Sequence, residues 1–230
     1  LNELYRPFRV GADATAANPA LRTERSRGIE LGVDWKPAEA VSVRATLFSN
    51  RLDRAIANVT LGAGPGNFPG VGFVAAGGAY RQRQNLDAIR SNGVEIDAEA
   101  RLGDWHLGAS YAYADARVRA SGAALSLDGL QPAQVPRHLA SATLGWRWLS
   151  TTVRYVSAQF EDDGNLRNLG DALTLDAAAS IPVTHRLSIT LRAENLADAQ
   201  VDAAVSGAGI VERATPRTLW FGVRLGGAGN

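Results

Sequence analysis

The chain has 230 residues, with 24 Lys+Arg against 23 Asp+Glu and a formal net charge of +1, so it lacks the basic excess that a nucleic-acid partner demands. It contains no cysteine and no methionine, which excludes a disulfide framework, a thiolate metal site and a thiol nucleophile. No run approaches the ~18 apolar residues of a membrane helix; a helical membrane protein is excluded, whereas a β-barrel, whose strands alternate apolar and polar residues, is not.

The chain opens Leu1-Asn2-Glu3, which is neither a translation start nor a signal peptide, and so reads as a fragment or a processed product. The first strand expected falls at residues 29–35. In 41–47, Val41-Ser-Val-Arg-Ala-Thr-Leu47, every odd position is apolar and every even one polar. Successive side chains of a strand point to opposite faces, so this is a strand with one apolar face. Residues 94–102 repeat the pattern and set Glu95, Asp97, Glu99 and Arg101 on one face. Further strands are expected at 105–113, 140–148, 151–157, 173–181, 187–194 and 219–225, about nine in all. Residues 172–180 are alanine-rich but keep the period of two, and no segment carries a sustained helical stripe.

The connections alternate. They are short near residues 36–40, 102–105, 148–151 and 181–186, and longer at 50–87, 117–137, 161–171 and 196–216. Consecutive antiparallel strands reverse direction, so every short turn lies at one end and every long loop at the other, as in outer-membrane barrels. Trp35, Trp105, Trp146 and Trp148 sit beside the short turns and read as a periplasmic aromatic girdle. Tyr111, Tyr113, Tyr155 and Phe160 lie toward the long loops and are candidates for the outer girdle. An odd strand count leaves the first and last strands running the same way, so closure requires further strands outside this chain. The competing fold is a soluble antiparallel sandwich, which shares the one-sided apolar pattern.

The motifs resemble those of the C-terminal half of TonB-dependent receptors. Leu1-Asn-Glu-Leu-Tyr-Arg-Pro7 is similar to the family's segment at the top of a mid-barrel strand. Asn18-Pro-Ala-Leu-Arg-Thr-Glu24 with Glu30-Leu-Gly32 resembles the start of the next descending strand, with Thr23 in place of the family's proline. Asn92-Gly-Val-Glu-Ile-Asp97, residues 105–115, Val135-Pro-Arg-His138, Ala193-Glu-Asn-Leu-Ala-Asp198 and Pro216-Arg-Thr-Leu219 follow in the family's order. The family's barrels end on an aromatic residue that aids assembly. This chain ends Leu225-Gly-Gly-Ala-Gly-Asn230, so the expectation is either an unusual native C-terminus or an assembly signal shifted inward to Phe221 and Leu225.

The resemblance implies an all-β, transmembrane antiparallel barrel of 22 strands, of which residues 1–230 form the C-terminal portion, with the plug domain and earlier strands absent. It implies an outer-membrane receptor that captures a scarce nutrient of the ferric siderophore, haem or cobalamin type. It also implies import with energy from TonB, reached through the absent N-terminal part. The plug, outer-membrane lipid and a metal chelate or similar ligand are the other expected partners. No catalytic residue, metal site or cofactor is expected.

His106, His138 and His185 are far apart and form no metal-ligand pair at short spacing; His138 reads as structural. Glu95, Asp97 and Glu99 are expected to face the lumen and its plug, opposite Arg44 or Arg101. Residues 62–72 are glycine-rich, but Pro65 and Pro69 interrupt them and no phosphate-loop spacing is present; they read as a long flexible loop. Phe68, Phe73, Tyr80, Arg81 and Arg83 are its candidate ligand contacts. The rival functions are a smaller outer-membrane barrel enzyme or adhesin, or a soluble β-sandwich binding module. A hydrolase barrel needs a Ser/His/Asp set on adjacent strand ends, and none is evident.

Overall fold

The computed structural model describes residues 2–207 and 209–226. Nine strands form one sheet: β1 (Arg25–Ala38), β2 (Val41–Asp53), β3 (Ala88–Leu102), β4 (Trp105–Arg119), β5 (His138–Trp146), β6 (Leu149–Val156), β7 (Ala172–Pro182), β8 (Leu187–Glu194) and β9 (Thr218–Leu225). Each pairs antiparallel with its neighbour in sequence, and β1 and β9 are the two open edges. All nine expected strands are present, and β1 to β4 run further toward the long loops than the alternation alone indicates.

The register sorts the side chains cleanly. Leu31, Leu47, Val94, Tyr113 and His138 lie in one row across five strands, and Val41, Ala100, Leu107, Leu144, Thr151, Ala177 and Ala193 in another. This face is apolar and bare: Ile29 is 79 % exposed and Leu31 67 %. No second sheet covers it among the described residues, since the remaining sheets, one of four short strands and three of two, lie in the connections and the N-terminal segment. A soluble sandwich buries its apolar face against a second sheet, so that alternative fails, and the uncovered face is the lipid face of a barrel wall. The opposite face carries Glu30, Asp34, Arg44, Glu95, Asp97, Glu99, Arg154, Asp176 and Arg192 and lines the lumen.

The turns reveal the strand tilt. The row of Val41 reaches Ala193 on β8, six residues above Leu187, where the β7–β8 turn closes. Six residues at ~3.3 Å, taken against six strand spacings of ~4.8 Å, place all the short turns at one height only if the strands lean by about 35°. That is the tilt of a closed barrel wall.

Trp35, Trp105 and Trp146 lie on the lipid face beside the short turns. Trp105 and Trp146 are neighbours with ring centroids 6.0 Å apart, and Arg147 sits 5.2 Å over the Trp146 ring. Toward the other end, the Tyr111 hydroxyl and His138 Nδ1 share a 2.9 Å hydrogen bond, and the Tyr113 ring is 5.1 Å from His138. These residues and Tyr155 form the outer aromatic belt. Phe160 does not join it; it belongs to a short bridge, Gln159–Phe160, within the loop after β6. The N-terminal segment also differs from expectation. Asn2–Tyr5 is a helical turn and Phe8–Val10 pairs within the loop structure, not at the top of a barrel strand. Phe221 and Leu225 lie on the lipid face of β9, and residues 227–230 lie outside those described.

Gly93 explains one motif glycine. A Cβ there would lie 2.0 Å from the Tyr113 carbonyl oxygen and 2.4 Å from the Phe48 ring. The Phe48 side chain crosses from β2 over the bare backbone of β3, so only glycine fits.

The topology makes a labelling prediction. In the full-length protein on intact cells, Leu125→Cys, Leu166→Cys and Ile210→Cys, all exposed in long loops, should react with a membrane-impermeant thiol reagent. Val183→Cys, exposed in the β7–β8 turn, should react only after lysis. Equal labelling of all four on intact cells would refute the orientation.

Candidate functional site: the loop head and the lumen wall

The barrel wall has no interior of its own, because one face meets lipid and the other the lumen. The buried hydrophobic residues gather instead in the connections, the N-terminal segment and the loop-side ends of β3 and β4. Val59, Val74 and Leu169 are the largest fully buried side chains, and all three are in loops. The long β2–β3 connection is not the flexible loop its composition suggests. Ile56–Ala63 pairs antiparallel with Ala79–Asn85, and Gly66–Phe68 with Gly72–Val74 at the tip. Asp13–Ala16 adds a parallel strand to Ala79–Asn85, and Phe8–Val10 pairs with Asp13–Ala16 in turn. The result is a four-stranded head standing on the rim.

Specific contacts hold this head together. Asp13 accepts the Ala79 N–H at 2.8 Å and pairs with Arg81 at 3.0 Å. Arg9 donates to the Val71 and Phe73 carbonyls at 2.6 and 2.7 Å, and Asn18 donates to the Arg83 carbonyl at 2.8 Å. The glycines serve packing: a Cβ on Gly62 would meet the Phe68 ring at 2.7 Å. A second cluster, Ala55, Val59, Leu86, Val118, Ala120, Ala124 and Leu127, joins the base of this connection to the β4–β5 loop. The β6–β7 loop reaches in as well. Asp163 accepts the Asn58 N–H at 3.2 Å, and Asn165 exchanges two hydrogen bonds with the Gln131 backbone at 2.7 and 2.9 Å. Burial pushes the Asp163 carboxyl above its ordinary range, while the Asn58 N–H and the charges of Arg83 and Arg81 oppose the shift.

The five candidate ligand residues all lie in this head, in different settings. Phe68 stacks on Tyr80 with centroids 4.6 Å apart, and Tyr80 is buried beside Ala14, Ala16 and Val74. Arg81 is half-buried on Asp13, and Arg83 is half-buried at the base. Phe73, 58 % exposed at the tip, is the one aromatic of the set presented to solvent. Arg9, Asp13 and Asp163, which organise the head, escaped the sequence reading. They are far away along the chain, and no local pattern marks them.

Glu95, Asp97 and Glu99 are exposed on the lumen face of β3. Asp97 lies directly opposite Arg44 in register, but the Arg44 guanidinium pairs with Asp34 on β1 at 2.7 Å. Further along the same face, Arg154 pairs with Asp176, and Arg192 with Glu194 at 2.7 Å. Among the described residues, no three His, Asp or Glu side chains converge as a metal site. The arrangement suits polar docking on a wet wall and not covalent chemistry.

The family model for a TonB-dependent receptor-like β-barrel matches residues 1–196. Among solved structures, the ferric yersiniabactin uptake receptor FyuA from Yersinia pestis superposes with a TM-score of 0.68 at 19% identity, over 88% of this chain and 30% of that one. The siderophore receptor PiuA from Acinetobacter baumannii gives 0.67 at 16% identity, over 87% and 28%. The copper transporter OprC gives 0.70 at 19% identity, over 97% and 33%. The chain thus spans about a third of the length of the structures it matches, which are receptors and transporters and not enzymes.

Proposed function

The chain belongs to the TonB-dependent receptor β-barrel family, whose members are Gram-negative outer-membrane proteins, and from that premise we propose that it forms the C-terminal wall and loop head of a nutrient-uptake receptor. The nutrient is an anionic metal chelate, seized from outside by the head and imported with energy from TonB. A plug fills the lumen and docks against Glu95, Asp97 and Glu99.

One observation carries this reading. The long connections are folded into a head with its own core, which exposes Phe73 at its tip above arginine-bearing strands. A passive pore gains nothing from such a head, whereas capture of a dilute ligand gains from aromatic and cationic groups held on a rigid support.

In the full-length receptor, deleting residues 62–78 should abolish uptake while the barrel remains heat-modifiable in the outer membrane. Phe73→Ala, which leaves the head core intact, should weaken ligand binding by about tenfold if Phe73 is a hot spot. A deletion receptor that assembles and supports growth at limiting nutrient as well as its parent would refute the role of the head.

A further inference from the structure

The pairing register brings together four arginines that are scattered in sequence. Arg27 lies opposite Arg51, Arg51 opposite Arg90, and Arg90 opposite Arg117. All four share the face of Ile29, Leu47, Val94 and Tyr113, which is the lipid face. Like charges directly opposite one another in a sheet are destabilising, and this row stacks four across three strand spacings, about 14 Å.

The carboxylates on this face only partly offset them. Asp53 is held by both Arg27 and Arg51. Asp115 takes Arg117 at 3.0 Å and lies 3.7 Å from Arg137. The Arg90 guanidinium is exposed and makes no ion pair or hydrogen bond with the described residues. One register row further out are Arg25, also exposed, and Arg119, whose nearest carboxylate, Asp128, is 4.0 Å away.

The height of the row identifies what it meets. Eight residues separate Trp35 from Arg27 on β1, and twelve separate Trp105 from Arg117 on β4. At ~3.3 Å per residue and a tilt of about 35°, the row climbs from about 22 to about 32 Å above the tryptophan belt. The apolar band is ~25 Å tall, so the row crosses its outer edge into the headgroup layer. Guanidinium forks there match phosphate oxygens in paired hydrogen bonds.

We propose that Arg27, Arg51, Arg90 and Arg117 form a docking surface for the bisphosphorylated headgroup of an outer-leaflet glycolipid, whose acyl chains lie along the apolar face below. Two phosphates on one headgroup suit a row of this length and neutralise the stacked charge. The lipid thereby fastens the rim of β1–β4, on which the loop head stands.

The test uses the full-length receptor, purified, delipidated in detergent and re-exposed to defined lipids, with bound lipid counted by native mass spectrometry. Bisphosphorylated lipid A should be retained over monophosphorylated lipid A and phosphatidylglycerol, and inorganic pyrophosphate should not displace it at equal concentration. Arg90→Gln, which breaks no ion pair, should weaken retention on the order of tenfold, the loss of one charge-assisted contact. Arg51→Gln with Arg90→Gln and Arg117→Gln should abolish it, with heat-modifiability confirming a folded barrel. Arg147→Gln, at the periplasmic turn, should change nothing. Retention unaltered in folded Arg90→Gln, equal retention of phosphatidylglycerol, or full displacement by pyrophosphate would each overturn the proposal.

Discussion

Arginine in place of Leu191 should destabilise the full-length barrel by about 2–4 kcal/mol, whereas arginine in place of the adjacent Thr190 should cost little. Leu191 stands on the lipid face between Ala179 and Phe221. It lies four residues above Leu187, hence about 10 Å above the β7–β8 turn at the strand tilt found here. That is near the middle of the apolar band, where a guanidinium finds neither water nor a counter-ion. Thr190 lies opposite Ser180 and Gly222 on the lumen face, which is wet.

A third variant separates membrane from merely buried sheet. Leu187→Arg sits at the boundary, where the cost falls to about 0–1 kcal/mol. Urea unfolding of the three variants in lipid vesicles measures all of this. Equal losses at residues 190 and 191 would refute the facing, and equal losses at 187 and 191 would refute the depth.

The second large effect concerns residues 1–230 expressed alone. They should aggregate or fail to insert, because β1 and β9 present unpaired edges. β1 is exposed along all 14 residues. Water satisfies its outward N–H and C=O groups, but hydrocarbon cannot, and each unsatisfied group costs several kcal/mol. An exposed edge of this length is also a template for pairing with another chain. Refolding into detergent micelles, followed by unheated gel electrophoresis and protease challenge, decides it. A heat-modifiable, protease-resistant monomer would show that the edges find partners within the chain.

Much of the wall was legible in the sequence. The alternation in residues 41–47 and 94–102 reports facing directly, because lipid accepts only apolar side chains and period two is a local property of extended backbone. The alternation of short and long connections places all turns at one end, and the tryptophans mark that end. The order of motifs carried the family.

The loops were not legible. Glycine and proline between residues 62 and 72 read as flexibility, but Gly62 is glycine because the Phe68 ring occupies the space of its Cβ. Arg9, Asp13 and Asn18 hold partners more than 60 residues away, and such pairing has no local signature. Phe68 and Tyr80 read as ligand contacts because aromatics in a loop suggest binding; the stack that they form on each other in the head is a pairing the sequence does not show.

The sequence by itself therefore determined the number, order and facing of the wall strands, since these depend on period and on the polarity of the surrounding medium. Tertiary structure alone decided the tilt, the loop head and the arginine row. Residues 27, 51, 90 and 117 are unevenly spaced along the chain and become neighbours only through inter-strand register, a property of paired strands that no single strand contains.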